Sequence, residues 1–103
     1  MVIYSVSITI EKSIEAEWLD WMKEIHIPKV IDTGFFIDWG IHKVIIPQDN
    51  KNEVTFRIDY TLKSIKHYEE YINSSASKLQ KEHSVKFEGK FKASRSVYSI
   101  LKK

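Results

Sequence analysis

Hydrophobic and polar residues alternate strictly from residue 2 to residue 11. Val2, Tyr4, Val6, Ile8 and Ile10 fall on one side, and Ser5, Ser7, Thr9 and Glu11 on the other. A period of two over this length predicts a half-buried strand. The period then changes. Ile14, Trp18, Trp21, Met22 and Ile25 recur at helical spacing, with Glu15, Asp20, Lys23 and Glu24 on the outer side. Ser13 stands where an N-cap belongs, and Glu15 and Glu17 suit the positive end of the helix dipole. Pro28 is expected to end or bend this helix, or to start a short further turn through Ile31, because it has no N–H to donate. Gly34 suits a left-handed closing residue.

Residues 35–46 predict a second strand. Phe35, Ile37, Trp39, Ile41 and Ile45 form one apolar face; Phe36, Asp38, Gly40, His42, Val44 and Ile46 form a mixed one. Apolar residues on both faces predict burial on both, and Gly40 marks a candidate bulge. A polar loop, Pro47 to Asn52, leads into a third strand in which Val54, Phe56, Ile58, Tyr60 and Leu62 alternate with Thr55, Arg57, Asp59 and Thr61. Ser64 is a candidate cap for a second helix with the stripe Ile65, Tyr68, Ile72, Ala76, Leu79, His83 and Phe87. Asn73-Ser74-Ser75 is expected to break or kink it, and Gly89 to stop it. A last strand runs from about Phe91 to Leu101.

The order β-α-β-β-α-β with right-handed crossovers predicts one ferredoxin-like α+β domain over residues 1–103, with a four-stranded antiparallel sheet and two helices on one face. RNA-binding domains of this topology expose aromatics on the sheet. Here Tyr4, Phe56 and Tyr60 fall on the side the helices should cover, so no nucleic-acid partner is expected. The formal net charge of +2, with lysines spread along the chain, agrees. With no cysteine there is no disulfide, thiolate metal site or cysteine nucleophile. Met1-Val2-Ile3-Tyr4 has neither a basic region nor a long apolar run, and no stretch reaches the ~20 apolar residues of a membrane span. The expectation is a cytoplasmic protein without a membrane partner. Aromatics make up 13% of the chain. That is more apolar area than a small monomer easily hides, and it keeps an oligomer interface in view.

The segment Trp18-x-x-Trp21-Met22-Lys23-x-x-His26-Ile27-Pro28-x-Val30-x-x-Thr33-Gly34-x-Phe36 resembles the first helix and turn of a bacterial family of ~100-residue proteins, a domain of unknown function. The resemblance runs the length of the chain. It departs at Ala93-Ser94-Arg95-Ser96, where a serine replaces a common aromatic. The family is similar in turn to the dimeric α+β barrels, in which two ferredoxin-like subunits place their sheets face to face. A helix ending in His-x-Pro followed by a Gly turn recurs among monooxygenase-like and EthD-like members. The resemblance implies a homodimer and a cleft between helices and sheet. It implies no reaction, since that fold carries many activities.

Each candidate site residue has a plain structural reading beside the functional one. Trp18 and Trp21 read first as core or interface packing, and second as the wall of a ligand site. His26 lies toward the end of its helix. It reads as a helix-terminal hydrogen-bonding residue, or as a general base or the proximal ligand of a metal or haem. Tyr68 and Tyr71 are its expected neighbours. His83 should lie at the opposite end of the subunit from His26, so no metal site is expected. Asp38 or His42 is expected to meet Arg57 beside Asp59, as ion pairs that fix a dimer's register. No nucleophile elbow, phosphate loop or metal-protease motif is present.

With the homodimer that the resemblance implies, these residues lead to the expectation of a small cleft near Trp18, Trp21, Met22, His26, Trp39 and Tyr68, taking a small apolar or aromatic molecule without a cofactor. The enzymatic alternative is a cofactor-independent monooxygenase or isomerase using His26. A second alternative is an interaction module with no cleft. Binding without catalysis is the leading expectation.

Overall fold

Strand β1 spans Val2–Glu11, the full length of the alternating stretch, because every second side chain has a core to enter. A computed structural model describes residues 1–103. It places β1 in the middle of a four-stranded sheet of order β2-β3-β1-β4, with every pairing antiparallel. Strand β3 (Glu53–Leu62) pairs with β1 along its whole length, from Val2 opposite Leu62 to Glu11 opposite Glu53. Strand β4 (Phe91–Ser99) flanks β1 on the other side and stops two residues short of Leu101. The inner side of the central pair is wholly apolar or aromatic. Tyr4, Val6, Ile8 and Ile10 lie beside Val54, Phe56, Ile58, Tyr60 and Leu62, all buried in one continuous core.

Strand β2 differs most from expectation. It covers only Asp38–Lys43 and forms an edge of the sheet. The apolar residues expected to make it a doubly buried strand are used otherwise. Phe36 enters the core ahead of the strand, against Tyr60 and Tyr71 at ring-centroid distances of 5.1 and 4.9 Å. Ile37, Trp39, Ile45 and Ile46 are exposed. Periodicity cannot tell a central strand from an edge strand flanked by apolar loops. Nor is there a bulge at Gly40, which pairs regularly with Asp59. A Cβ there would stand 3.2 Å from Cε1 of His42, so the glycine leaves room for that imidazole.

The first helical rod contains α1 (Glu15–Trp21), a five-residue π turn (Met22–His26) and α2 (Ile27–Asp32). Ser13 does not cap it. The chain enters through a 3₁₀ turn at Lys12–Ile14 without a side-chain cap, and the Lys12 amide donates instead to the Asn52 carbonyl at 2.8 Å. Pro28 does not end the rod either; it occupies the first turn of α2. The π turn sits just ahead of it, where the missing proline N–H loosens the regular ladder. Thr33 Oγ1 donates to the Val30 carbonyl at 2.6 Å, the Gly34 amide donates to the Ile31 carbonyl at 3.1 Å, and Gly34 adopts a φ of 85°. That left-handed residue turns the chain toward β2.

The second rod repeats the plan with α3 (Ile65–Tyr71), a π turn (Ile72–Ala76) and α4 (Ser77–Lys86). Ser64 caps it, its Oγ accepting from the His67 amide at 3.4 Å. Asn73-Ser74-Ser75 produces the π turn rather than a break. Ser74 Oγ donates to the Glu70 carbonyl at 2.7 Å and fills the space that the widened turn opens. The arrangement is ferredoxin-like, with both rods on one face of the sheet.

The other face is open and polar. Thr9 and Thr55 share a hydroxyl hydrogen bond of 2.7 Å, and Arg57 Nη2 donates to Ser5 Oγ at 3.0 Å. His42 stands opposite Arg57, while Asp38 stands opposite Thr61. Arg57 also approaches Asp59 Oδ1 at 3.7 Å, yet that oxygen is buried and accepts no hydrogen bond. No helix is long and apolar enough to cross a membrane.

Candidate functional site

Between the rods and the sheet is a narrow cavity. Met22, His26 and Val30 reach it from the first rod, and Tyr71, Gln80 and His83 from the second. Tyr4, Val6, Ile8, Ile58, Tyr60, Ala93 and Arg95 reach it from the sheet. Its interior measures about 30 Å³ and opens to solvent. The interior therefore takes on the order of one or two waters.

Two histidines define its polar side. Trp18 is fully buried, and its indole Nε1 donates to His83 Nε2 at 2.9 Å. An indole nitrogen can only donate, so His83 Nε2 must be a bare acceptor and its proton must sit on Nδ1. The imidazole is thereby fixed neutral. Burial, then the neighbouring His26, then Arg95 lower its pKa to about 4. His26 lies 5.9 Å from His83 between ring centroids and stacks on Trp21 at 5.4 Å. Its pKa is also lowered to about 4, first by burial, with Glu82 opposing and Arg95 and Lys29 assisting. His26 Nδ1 is buried without a hydrogen-bond partner. Such an orphan is uncommon, and it belongs to a residue on the cavity wall.

The aromatic side is a tyrosine cluster. Tyr4 contacts Tyr60 at 5.8 Å, Tyr68 at 5.2 Å and Tyr71 at 5.9 Å. Burial raises the pKa of Tyr60 and Tyr71. Tyr4 is raised for the same reason, with the Arg95 guanidinium pulling it back. All three are neutral phenols at neutral pH, able to donate.

Of the six residues expected to line a cleft, the structure brings Met22 and His26 to the cavity. Trp18 is a core residue that holds His83. Trp21 lies behind His26, with Phe87 at 5.4 Å on its other side. Tyr68 backs Tyr4 without lining the void. Trp39 sits on the edge strand opposite Tyr60 and is 40% exposed.

The expected distance between the histidines is overturned. The rod bearing His26 continues through Pro28 to Asp32, so His26 lies within it rather than at its end. The ion pair from Lys29 Nζ to Glu82 at 3.1 Å shows the second half of that rod beside the end of the other. The rings against His26 are therefore Trp21 and His83 rather than Tyr68 and Tyr71. No third His, Cys, Asp or Glu joins the two histidines in a metal-binding group. Sequence reasoning passed over Tyr4, Tyr60, Gln80 and Arg95 as site residues. Arg95 did leave a signal, as the one charge in the inward series Phe91, Ala93, Arg95, Val97.

A family model described as "Domain of unknown function (DUF4286)" matches residues 1–101. No curated protein matches the sequence. Among solved structures, a dimeric ferredoxin-like protein from an uncultured marine organism is 15% identical with a TM-score of 0.72, covering 100% of this chain and 97% of that one. An ethyl tert-butyl ether d (EthD) family protein from Bacillus halodurans c-125 is 11% identical with a TM-score of 0.70, covering 98% and 100%. A structure of MhuD with two manganese protoporphyrin IX bound per active site is 8% identical with a TM-score of 0.71, covering 100% and 97%. At such identities the likeness establishes the fold alone.

Proposed function

We propose that this chain, which belongs to the DUF4286 family of domains of unknown function, works as a homodimer that holds a small aromatic molecule between helices and sheet, with His26 as its polar contact. The observation that carries the reading is His26, whose buried Nδ1 has no partner within the chain, on the wall of a cavity it shares with Tyr4, Tyr60 and Tyr71. A ligand hydroxyl or carbonyl at this wall would give the imidazole a partner. The interior of about 30 Å³ takes only a ring's edge, so the rest of the ligand lies outside it. The residues do not fit a porphyrin, for which a void of about 30 Å³ is far too narrow.

Binding is favoured over catalysis by the basicity of His26. With a pKa of about 4 it is a weak proton acceptor at neutral pH, below the range in which a general base is most effective. The enzymatic reading, a cofactor-independent monooxygenase or isomerase, would need bound substrate to raise that value.

The test uses p-cresol, a neutral single-ring phenol, followed by backbone amide shifts. Saturable shifts are expected around His26, Val30 and Ala93. They are expected to vanish in His26→Ala, which loses its stacking on Trp21 and whose fold is checked by circular dichroism. Shifts scattered over the surface, or unchanged binding in that variant, would remove the proposal.

The dimer is inferred from the sheet's open face. That face is polar, carries Arg57 beside Asp59, and is the face through which a dimer of the kind named for the ferredoxin-like neighbour could form. Reversing a charge at its centre, Arg57→Glu, places a second carboxylate beside Asp59. The mass measured by light scattering should fall from twice the chain's 12.2 kDa toward that value. A wild-type protein already at one chain's mass would end the dimer reading.

A further inference from the structure

Arg95 is the exception on the inner face of β4. The residues of that strand that face the rods are Phe91, Ala93, Arg95 and Val97, opposite Ile10, Ile8, Val6 and Tyr4 of β1. Phe91, Ala93 and Val97 are half-buried apolar residues packed on the core. A guanidinium is charged at every physiological pH, and the neighbour it meets in the cavity is the neutral Tyr4 hydroxyl rather than an anion. None of the 13 residues around the cavity is aspartate or glutamate. The ion pairs of the chain join Lys29 to Glu82, Lys43 to Glu15, Arg57 to Asp59 and Lys92 to Glu53, and none involves Arg95.

A long side chain on an edge strand can reach water, which would explain why arginine is tolerated here. It does not explain the direction in which the charge acts. The guanidinium lowers the pKa of Tyr4, His26 and His83 alike, so its field falls across the cavity from the mouth inward. A guanidinium and neutral donors from tyrosine and histidine on the wall, with no carboxylate in the lining and Glu82 opposing only at His26, favour negative charge at the Arg95 end of the site.

We propose that Arg95 makes the cavity specific for an anion: the molecule that meets His26 is a small aromatic acid, with its carboxylate against the Arg95 guanidinium at the mouth and its ring beside Tyr4. The fork of the guanidinium matches the two oxygens of a carboxylate. Gln80, across the mouth on α4, supplies a further amide donor. The inference rests on the cavity being the binding site and adds the ligand's charge.

The experiment compares benzoate with benzamide, its neutral isostere, by calorimetric titration against wild type, Arg95→Gln and Arg95→Lys, with p-cresol as the uncharged reference. Benzoate is expected to bind wild type at least 10-fold tighter than benzamide. Arg95→Gln should bring the two to parity, with any change for p-cresol much smaller than the loss for benzoate. Arg95→Lys should keep part of the preference, as a point charge without the fork. Arg95 is exposed, so these variants should fold as wild type does, which circular dichroism checks. Equal binding of benzoate and benzamide by wild type, with p-cresol still bound, would overturn the anion inference and leave the cavity reading intact. A benzoate preference unchanged in Arg95→Gln would also overturn it, since the anion would then sit elsewhere. Failure of all three compounds to bind would overturn the cavity reading and this inference with it.

Discussion

Trp18→Ala is expected to remove a large part of the domain's stability. Trp18 has no exposed surface, and its ring lies 4.9 Å from Phe56 between centroids. Truncating a buried tryptophan to alanine costs about 3–5 kcal/mol through lost apolar burial and the cavity left behind. Domains of this length have about 5–15 kcal/mol in total. The loss here is compounded, because His83 Nε2 is left buried without a donor. Trp18→Phe separates the two contributions. It keeps most of the ring volume and removes only the indole N–H. The expected loss is about 1–3 kcal/mol by urea unfolding, the cost of an orphaned buried acceptor. A second readout is specific to the hydrogen bond. Without the donor, protonating His83 no longer displaces a bond, so its titration followed by NMR should move up toward the ordinary histidine range. A Trp18→Phe protein as stable as wild type, with His83 titrating unchanged, would show that the bond contributes nothing.

Between pH 6.5 and pH 4 the protein is expected to lose much of its stability. His26 and His83 both have folded-state pKa values of about 4, against about 6.5 in an unfolded chain. Above pH 6.5 both states hold these imidazoles neutral and stability does not depend on them. As pH falls below 6.5 the unfolded chain takes up two protons that the folded protein resists, so folding weakens until pH reaches the folded values. The gap corresponds to about 3 kcal/mol for one histidine, and the pair approaches the margin of a small domain. Each charge is also pushed toward the other and toward Arg95, so no relief comes from the neighbours except Glu82 beside His26. The measurement is the urea midpoint at pH 7, 5.5 and 4.5, for wild type and for His26→Gln/His83→Gln. Glutamine can still accept from Trp18 and does not titrate. Carboxylates contribute equally to both curves, so the difference between them isolates the histidines. Parallel curves would defeat the expectation.

Both predictions depend on a contact that could not be read from the sequence. The strands with one buried face were legible because alternation reports burial directly; β1 and β3 follow their patterns almost to the residue. β2 was not, because its apolar residues serve three purposes: Phe36 in the core, Ile41 in the strand, and Ile45 and Ile46 exposed in the following loop. At Pro28 and at Asn73-Ser74-Ser75 the sequence announced an irregularity but not its kind. A missing N–H or a cluster of small polar residues is compatible with a helix end, a kink or a π turn, and packing against the sheet decides among them. His26 was identifiable as a residue of interest. Its partner His83 was not, because their proximity depends on how far the first rod continues past its proline. Arg95 needed the register of β4 before its side of the sheet was known.

The two π turns bear on how the family can vary. An α-helix advances about 100° per residue, and a π turn accommodates one extra residue without ending the helix. The turn at Met22–His26 therefore sets the azimuth of everything after it on that rod, including Val30, and the turn at Ile72–Ala76 does the same for Gln80 and His83. A chain one residue shorter at either place could still build two helices over the same sheet, yet it would present a different set of side chains to the cavity. Within this fold, length at two helical positions is a coordinate of specificity in its own right, separate from the identity of any lining residue.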